Sequence, residues 1–471
     1  MTHHAIWFLA ASLLLAAAAL AAESYPPPAA PRDTSSWGRH IQRTMGLLAT
    51  STPQNRRKVR ILFYGQSITA QPWWKLVADD LRKRFPHADL EIRNRAIGGF
   101  ASQLLVRTAV HDLYPAYPDL LIFHVYGDHR RYEDIIRFTR QRTAAEIAIY
   151  TDHVTAKETP DAEGGYVDKG WTAFMAGHIA KVAERYGCEL IDIRPPWKRY
   201  LLDHKLPSKA LLRDNVHLND QGCHLMAELI KRQLVHQPGR MTEQSRGLMR
   251  TYRVGRDATW AGGKLTLAFE GNRVDAVASG AGEGGTAEVR IDGRRPSELP
   301  GCYCLTRPST IHNVWPAVIR VTWAKPPILE DWRARILSSD EYGTKFRFEV
   351  IGSKTGRDGI GTHDARFVSR SGRVVIEPGD WHLQRTCTYR KKPVPKGFET
   401  RWRVRPLFVD TWRPPKVADA AREHVTTLAQ GLRNGRHTLE LTGRAAIREI
   451  RVYRPPFVAP DPPRVDGAKA N

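Results

Sequence analysis

Lys58-Val59-Arg60-Ile61-Leu62-Phe63-Tyr64-Gly65-Gln66-Ser67-Ile68-Thr69 is the stretch from which the rest of the chain can be read. Residues 59–64 are β-branched, aromatic or apolar apart from Arg60, and the run stops at a glycine. Within a few residues the period changes: Trp73, Leu76, Val77 and Leu81 share one face of a helix. A strand, a tight turn and a helix follow in that order. The unit then recurs. Strands are expected at 90–94, at 119–126 (the most apolar) and at 147–150 and 190–193, with helices at 132–145, 173–186 and 220–234. Alternation of this kind predicts a three-layer α/β domain over residues 58–239, a parallel sheet with helices on both faces.

Beyond about Gly239 the period becomes two. Residues 264–269, 287–291, 318–323, 345–350 and 437–441 alternate apolar and polar, and Gly271-Asn272, Asp292-Gly293 and Asn434-Gly435 supply turn chemistry between them. This predicts a C-terminal antiparallel β-sandwich or jelly roll over residues 240–456, with a frayed tail at 457–471. Gly280-Ala281-Gly282-Glu283-Gly284-Gly285 matches a dinucleotide-binding pattern on paper. A strand follows it rather than a helix, so no helix dipole is available for a pyrophosphate, and a glycine-rich hairpin turn is the better reading.

The chain has 471 residues, with 72 Lys+Arg against 49 Asp+Glu, a net charge of +23. Its 42% hydrophobic and 26% charged content is that of a globular protein. Such a basic excess suits a polyanionic partner, an acidic polysaccharide among them, or is spread evenly over a soluble surface. Residues 5–22 are apolar, uncharged and end in small residues before Glu23, which predicts a signal peptide over 1–22 and a secreted or periplasmic protein. The n-region has no Lys or Arg, so an uncleaved anchor is the competing reading. Residues 23–57 read as an N-terminal extension, with a Pro/Ala/Ser-rich linker at its start. Five cysteines are few for a secreted scaffold: Cys188 and Cys223 read as small core residues, and a Cys387 bridge to Cys302 or Cys304 is conceivable. There is no Cys-x-x-Cys or His-Glu-x-x-His pattern, so neither a zinc site nor any other cofactor is implied. No nucleic-acid-binding motif accompanies the charge.

The chemistry gathers at strand ends. Ser67 stands just past the carboxyl end of the first strand, where ligands of open parallel sheets collect. Alone, it would read as a helix N-cap. Before the last helix, however, comes Arg213-Asp214-Asn215-Val216-His217. A serine is a poor nucleophile without a base, itself oriented by a third group, and an Asp-x-x-His turn supplies both.

In these residues the chain resembles the SGNH/GDSL hydrolases, over roughly residues 58–237. Gly65-Gln66-Ser67 is similar to the family's Gly-Asp-Ser block, with Gln66 in place of Asp. Asn94-Arg95-Ala96-Ile97-Gly98-Gly99 is similar to the second block, and Asp214 and His217 match the last. The third block departs: Tyr126-Gly127-Asp128-His129-Arg130 has no Asn, and His129 stands in its place. The resemblance implies an SGNH/flavodoxin-like fold. It also implies a triad of Ser67, His217 and Asp214, and an oxyanion hole from the Ser67 and Gly99 amides. The ring N–H of His129 is the candidate third donor. The alternatives are a surface His129 and a missing donor, the loss of which typically costs ~10²–10³ in rate.

The expected function is a secreted serine esterase removing acetyl or similar groups from a polysaccharide, an anionic one included. An acyltransferase with the same triad and a catalytically weakened carbohydrate-binding protein are the competing readings. The β-rich half resembles, loosely, the accessory domain of two-domain carbohydrate esterases. Trp381, Trp402 and Trp412 are its candidates for stacking on sugar rings, against the alternative that they are core. On this reading the β-rich half only positions substrate, and the α/β half folds and reacts without it.

Overall fold

The computed structural model of the protein describes residues 25–279, 285–415, 419 and 421–458. Five parallel strands run through its first half: β1 (Lys58–Gly65), β2 (Asp89–Asn94), β3 (Leu120–His124), β4 (Glu146–Tyr150) and β5 (Glu189–Ile191). They lie in the order β2-β1-β3-β4-β5, all in parallel register. Every residue of β3 and β4 is buried, as central strands covered on both faces require.

The helices are α1 (Gln42–Ala49), α2 (Ser67–Ala70), α3 (Trp73–Arg84), α4 (Ser102–Asp112), α5 (His129–Arg142), α6 (Gly170–Tyr186), α7 (Arg194–Asp203), α8 (Asp220–Lys231), α9 (Glu243–Gly247) and α10 (Leu383–Arg390). One apolar cluster joins α1, α3, α7 and α8 to one sheet face through Met45, Trp73, Val77, Trp197 and Leu225. The other joins α4, α5 and α6 to the opposite face through Leu105, Ile135, Ile136 and Ile179. The three-layer α/β arrangement follows. It extends upstream of the expected boundary: α1 lies within the N-terminal extension, and Glu146 accepts the Arg43 and Thr44 amides at 2.9 and 2.7 Å, satisfying donors at the helix start. Because β1 pairs with β2 on one side and β3 on the other, a crevice opens beyond its carboxyl end.

Two antiparallel sheets form the sandwich-like second half. Tyr303–Leu305, Glu399–Pro406, Asp331–Ser339, Phe346–Gly352 and Gly356–Thr362 make one, in that spatial order. The other is built around the long pair Lys264–Ala278 and Val425–Gly443. Each has its own apolar cluster. Several expectations need correction. Gly271-Asn272 and Asn434-Gly435 lie inside these two long strands, at or beside a register irregularity, rather than in turns. Of these three expected turns, Asp292-Gly293 alone is a turn with both residues left-handed, at φ 51° and 75°. Residues 318–323 join neither sheet and make two single bridges, Val318 to Trp381 and Thr322 to Val375. All five cysteines are buried and unbridged, Cys387 included. The expected signal peptide (1–22), the tail from residue 459 and residues 280–284 of the glycine-rich stretch lie outside the described residues.

The two halves are joined along α4. His111 contacts the Leu305 carbonyl through Nδ1 (3.0 Å) and accepts the Val321 amide on Nε2 (3.2 Å). Arg307 pairs with the buried Asp112 at 2.7 Å, and Arg107 with the buried Asp380 at 3.1 Å.

Candidate active site

Ser67 is presented by a turn that only glycine can make. A β-carbon at Gly65 would collide with Thr69 Oγ1 and the His124 carbonyl, so β1 can pass directly into α2 only without one. Ser67 is the first residue of α2, and Gln66, not Ser67, holds the cap position. The N-cap reading therefore has no support, and the hydroxyl is left for other work.

Asn94 ties the second strand's loop to this turn. Its Nδ2 donates to the Thr69 carbonyl at 2.7 Å, its Oδ1 accepts the Ala96 amide at 2.9 Å, and the Ile97 amide donates to the Gly65 carbonyl at 3.0 Å. The loop delivers Gly98 beside Ser67, since a β-carbon on Gly98 would lie 3.8 Å from the Ser67 side chain. Gly99 follows in the left-handed region at φ 77°. The amides of Ser67 and Gly99 donate to no described acceptor.

The Asp214–His217 turn arranges its own geometry. Asp214 Oδ2 meets His217 Nδ1 at 2.8 Å, while Oδ1 accepts the amides of Val216 and His217 at 2.8 and 2.7 Å. Those backbone donors, with the imidazole added, hold the Asp214 carboxyl well below the usual carboxylate range. The carboxylate thus fixes Nδ1 and leaves Nε2 as the working nitrogen of His217.

Two residues missed by sequence reasoning hold this turn in place. Gln71, just past α2, accepts the Leu218 amide on Oε1 (3.0 Å) and donates to the Leu218 carbonyl from Nε2 (2.8 Å), linking the Ser67 turn to the residue after His217. His153 Nε2 donates to the Val216 carbonyl at 2.7 Å. Burial pushes His153 down to about 4 and keeps it neutral. Behind it, Arg194 grips the His153 carbonyl at 3.1 Å, Asp168 at 2.7 Å, and Glu158. No local pattern announces either contact, because each depends on residues more than 60 positions away.

Ser67, Gly99 and His217 line one cleft of about 1030 Å³. Its other wall is not from the α/β half. His312 and Asn313, both left-handed at φ 52° and 57°, turn a short hairpin between Thr310–Ile311 and Trp315–Pro316. That hairpin places Asn313 and Trp315 in the cleft, and α10 adds Arg385 and Tyr389. Trp315 Nε1 donates to the Gly98 carbonyl at 2.6 Å, and a β-carbon on Gly99 would lie only 2.8 Å from its ring. The second half therefore buttresses the loop that carries the Gly99 amide, which corrects the expectation of a purely accessory role.

Other expected residues lie elsewhere. His129 opens α5, and its ring packs against Phe174, His178 and Trp171 of α6 at centroid distances of 5.1, 5.2 and 6.1 Å; it is not among the cleft-lining residues. Trp402 and Trp412 are 3% and 1% exposed, so neither presents a stacking face, and Trp381 is partly buried against the same core as Trp402. The exposed ring of the second half beside the cleft is Tyr389, 63% exposed.

No family model matches the chain, and no curated protein matches it. Among solved structures, similar folds include the acetyl xylan esterase AlAXEase. It is 21% identical over 38% of this chain and 100% of that one, with a TM-score of 0.33. An α/β hydrolase enzyme, LAE5, from the metagenome of Lake Arreo, Spain, is 20% identical over 39% of this chain and 98% of that one, with a TM-score of 0.32. A two-domain esterase, CEX, active on acetylated mannans and crystallised with mannopentaose, is 14% identical. It covers 84% of this chain and 91% of its own, with a TM-score of 0.31.

Proposed function

We propose that the protein is a serine carboxylic-ester hydrolase that removes small acyl groups, acetyl above all, from a polysaccharide. The observation that carries this reading is the meeting in one cleft of Ser67, the Asp214-oriented His217 and Gly99, with the Ser67 and Gly99 amides having no acceptor among the described residues. Ser67 Oγ attacks the ester carbonyl carbon while His217 Nε2 accepts its proton. The carbonyl oxygen becomes an oxyanion facing the Ser67 and Gly99 amides. Collapse breaks the bond to the alkoxy oxygen, which leaves as the sugar hydroxyl with the proton from His217. Water then adds to the acyl-serine with His217 again as base, releasing acetate and restoring Ser67.

Hydrolysis is favoured over transfer by access: the Asp214 and His217 side chains are 52% and 31% exposed, so water reaches the base that an acyltransferase would have to shield. With residues 1–22 read as an export signal, the proposed workplace is outside the cytoplasm. Ser67→Ala, checked for folding by circular dichroism, should lower kcat/KM on p-nitrophenyl acetate by several orders of magnitude. Undiminished turnover in that variant would refute the assignment.

A further inference from the structure

We infer that the wall of the cleft contributed by α10 is a subsite for an anionic sugar, with Arg385 taking its carboxylate or sulfate and Tyr389 stacking on its ring. This rests on the esterase reading of the same cleft and adds the class of substrate.

The argument begins with where the positive charge goes unneutralised. Arginines that join the two halves are paired, Arg307 with Asp112 and Arg107 with Asp380, and Arg320 within the second half also pairs with Asp380. At the cleft the pattern reverses. The segment from Leu383 to Lys392 carries Arg385, Arg390, Lys391 and Lys392 and no acidic residue. Among the described residues none of these four cations lies within ion-pair distance of a carboxylate. Asp214 is the one carboxylate of the candidate triad, and it is committed to His217 and two amides.

Arg385 is exposed and touches one ring of the cleft wall. Its guanidinium sits over the Trp315 ring at 5.8 Å, and Trp315 is itself anchored on the Gly98 carbonyl at 2.6 Å. A guanidinium seated on an indole keeps its fork of N–H donors for a planar or tetrahedral anion. Tyr389 packs on the same indole at 4.8 Å and leaves most of its ring in solvent. An exposed aromatic face beside a guanidinium, both in the cleft of the candidate nucleophile, suits a pyranose that carries a negative group. A neutral glycan would use the ring and leave the guanidinium idle.

The test compares three acetylated oligosaccharides of one length at low salt: a uronic-acid oligosaccharide, its carboxyl-reduced counterpart, and an O-sulfated neutral one. The wild-type protein should show kcat/KM about tenfold higher on at least one anionic substrate than on the reduced one, through KM, and the gap should narrow as salt rises. The anionic arm that is preferred identifies carboxylate or sulfate. Arg385→Gln should collapse the ratio toward one, Arg385→Lys should retain part of it, and Tyr389→Ala should raise KM on all three. Equal kcat/KM on charged and reduced substrates, or a ratio unchanged in Arg385→Gln, would overturn the subsite while leaving the esterase reading intact. Should the wild type hydrolyse no ester at all, titration calorimetry with the unacetylated uronic-acid oligosaccharide decides the subsite separately. Binding weakened about tenfold in Arg385→Gln supports it, and absent or unaltered binding refutes it.

Discussion

Gln71 shows how much of this site is held by residues that take no part in chemistry. Its one amide satisfies both backbone groups of Leu218, and with them the position of His217 relative to Ser67. Gln71→Ala leaves a buried N–H and C=O without partners, which should cost about 1–3 kcal/mol of stability. It should also lower kcat more than it raises KM on a small ester, because misplacement affects the reacting geometry rather than the binding surface. Denaturant melts and steady-state kinetics on the same variant check both, and a change in stability with kcat intact would reduce Gln71 to a packing residue. At this scale Ser67, Asp214 and His217 were legible in the sequence because their chemistry is carried by short patterns at strand ends. Gln71, His153 and Trp315 were not, since each acts through a contact made only when distant segments meet.

Among the elements, α4 decides whether the halves are independent. It lies between β2 and β3, where the sequence reading placed no element. In the fold it gives His111 and Asp112 to the second half as well as Leu105 to the first. A chain ending near Gln237 would leave the Asp112 carboxylate without Arg307 and strip Trp315 from the Gly98–Gly99 loop. An unpaired carboxylate on a newly bared face and an unbraced donor loop both follow. Such a truncation should be poorly soluble or, if folded, should lose at least about tenfold in kcat on p-nitrophenyl acetate. A soluble truncated form with full small-ester activity would restore the accessory role. The parallel strands were readable because buried apolar runs alternating with helices have a distinct period. The turns inside the long antiparallel strands were misread because Gly-Asn and Asn-Gly serve irregular strand pairing as readily as a hairpin.

Across the whole molecule, buried histidines set the response to acid. Burial pushes His40, His111, His153 and His382 down to about 4 and His124 to about 3. In the unfolded chain these rings take up protons near ~6.5. Between those values the unfolded state binds more protons, so stability is complete above about 6.5 and falls as the pH drops toward 4. Each group adds a slope of about 1.4 kcal/mol per pH unit. Glu189, raised by burial to about 7, and Asp112, Asp152 and Asp380, also raised by burial, act in the opposite sense, while His178 is lowered with the other five rings. Urea unfolding from pH 7 to pH 5 should therefore show stability declining by more than one proton's slope. A flat or rising profile would mean that these rings are hydrated or charged in the folded protein.

The central claim is that Ser67, activated by His217, is the nucleophile, and covalent labelling tests it most directly. Incubation with a fluorophosphonate ester, followed by intact-mass and peptide analysis, should place a single adduct on Ser67. Labelling should be lost in Ser67→Ala and slowed by orders of magnitude in His217→Ala. An unlabelled wild-type protein, or an adduct on any other serine, would contradict the account.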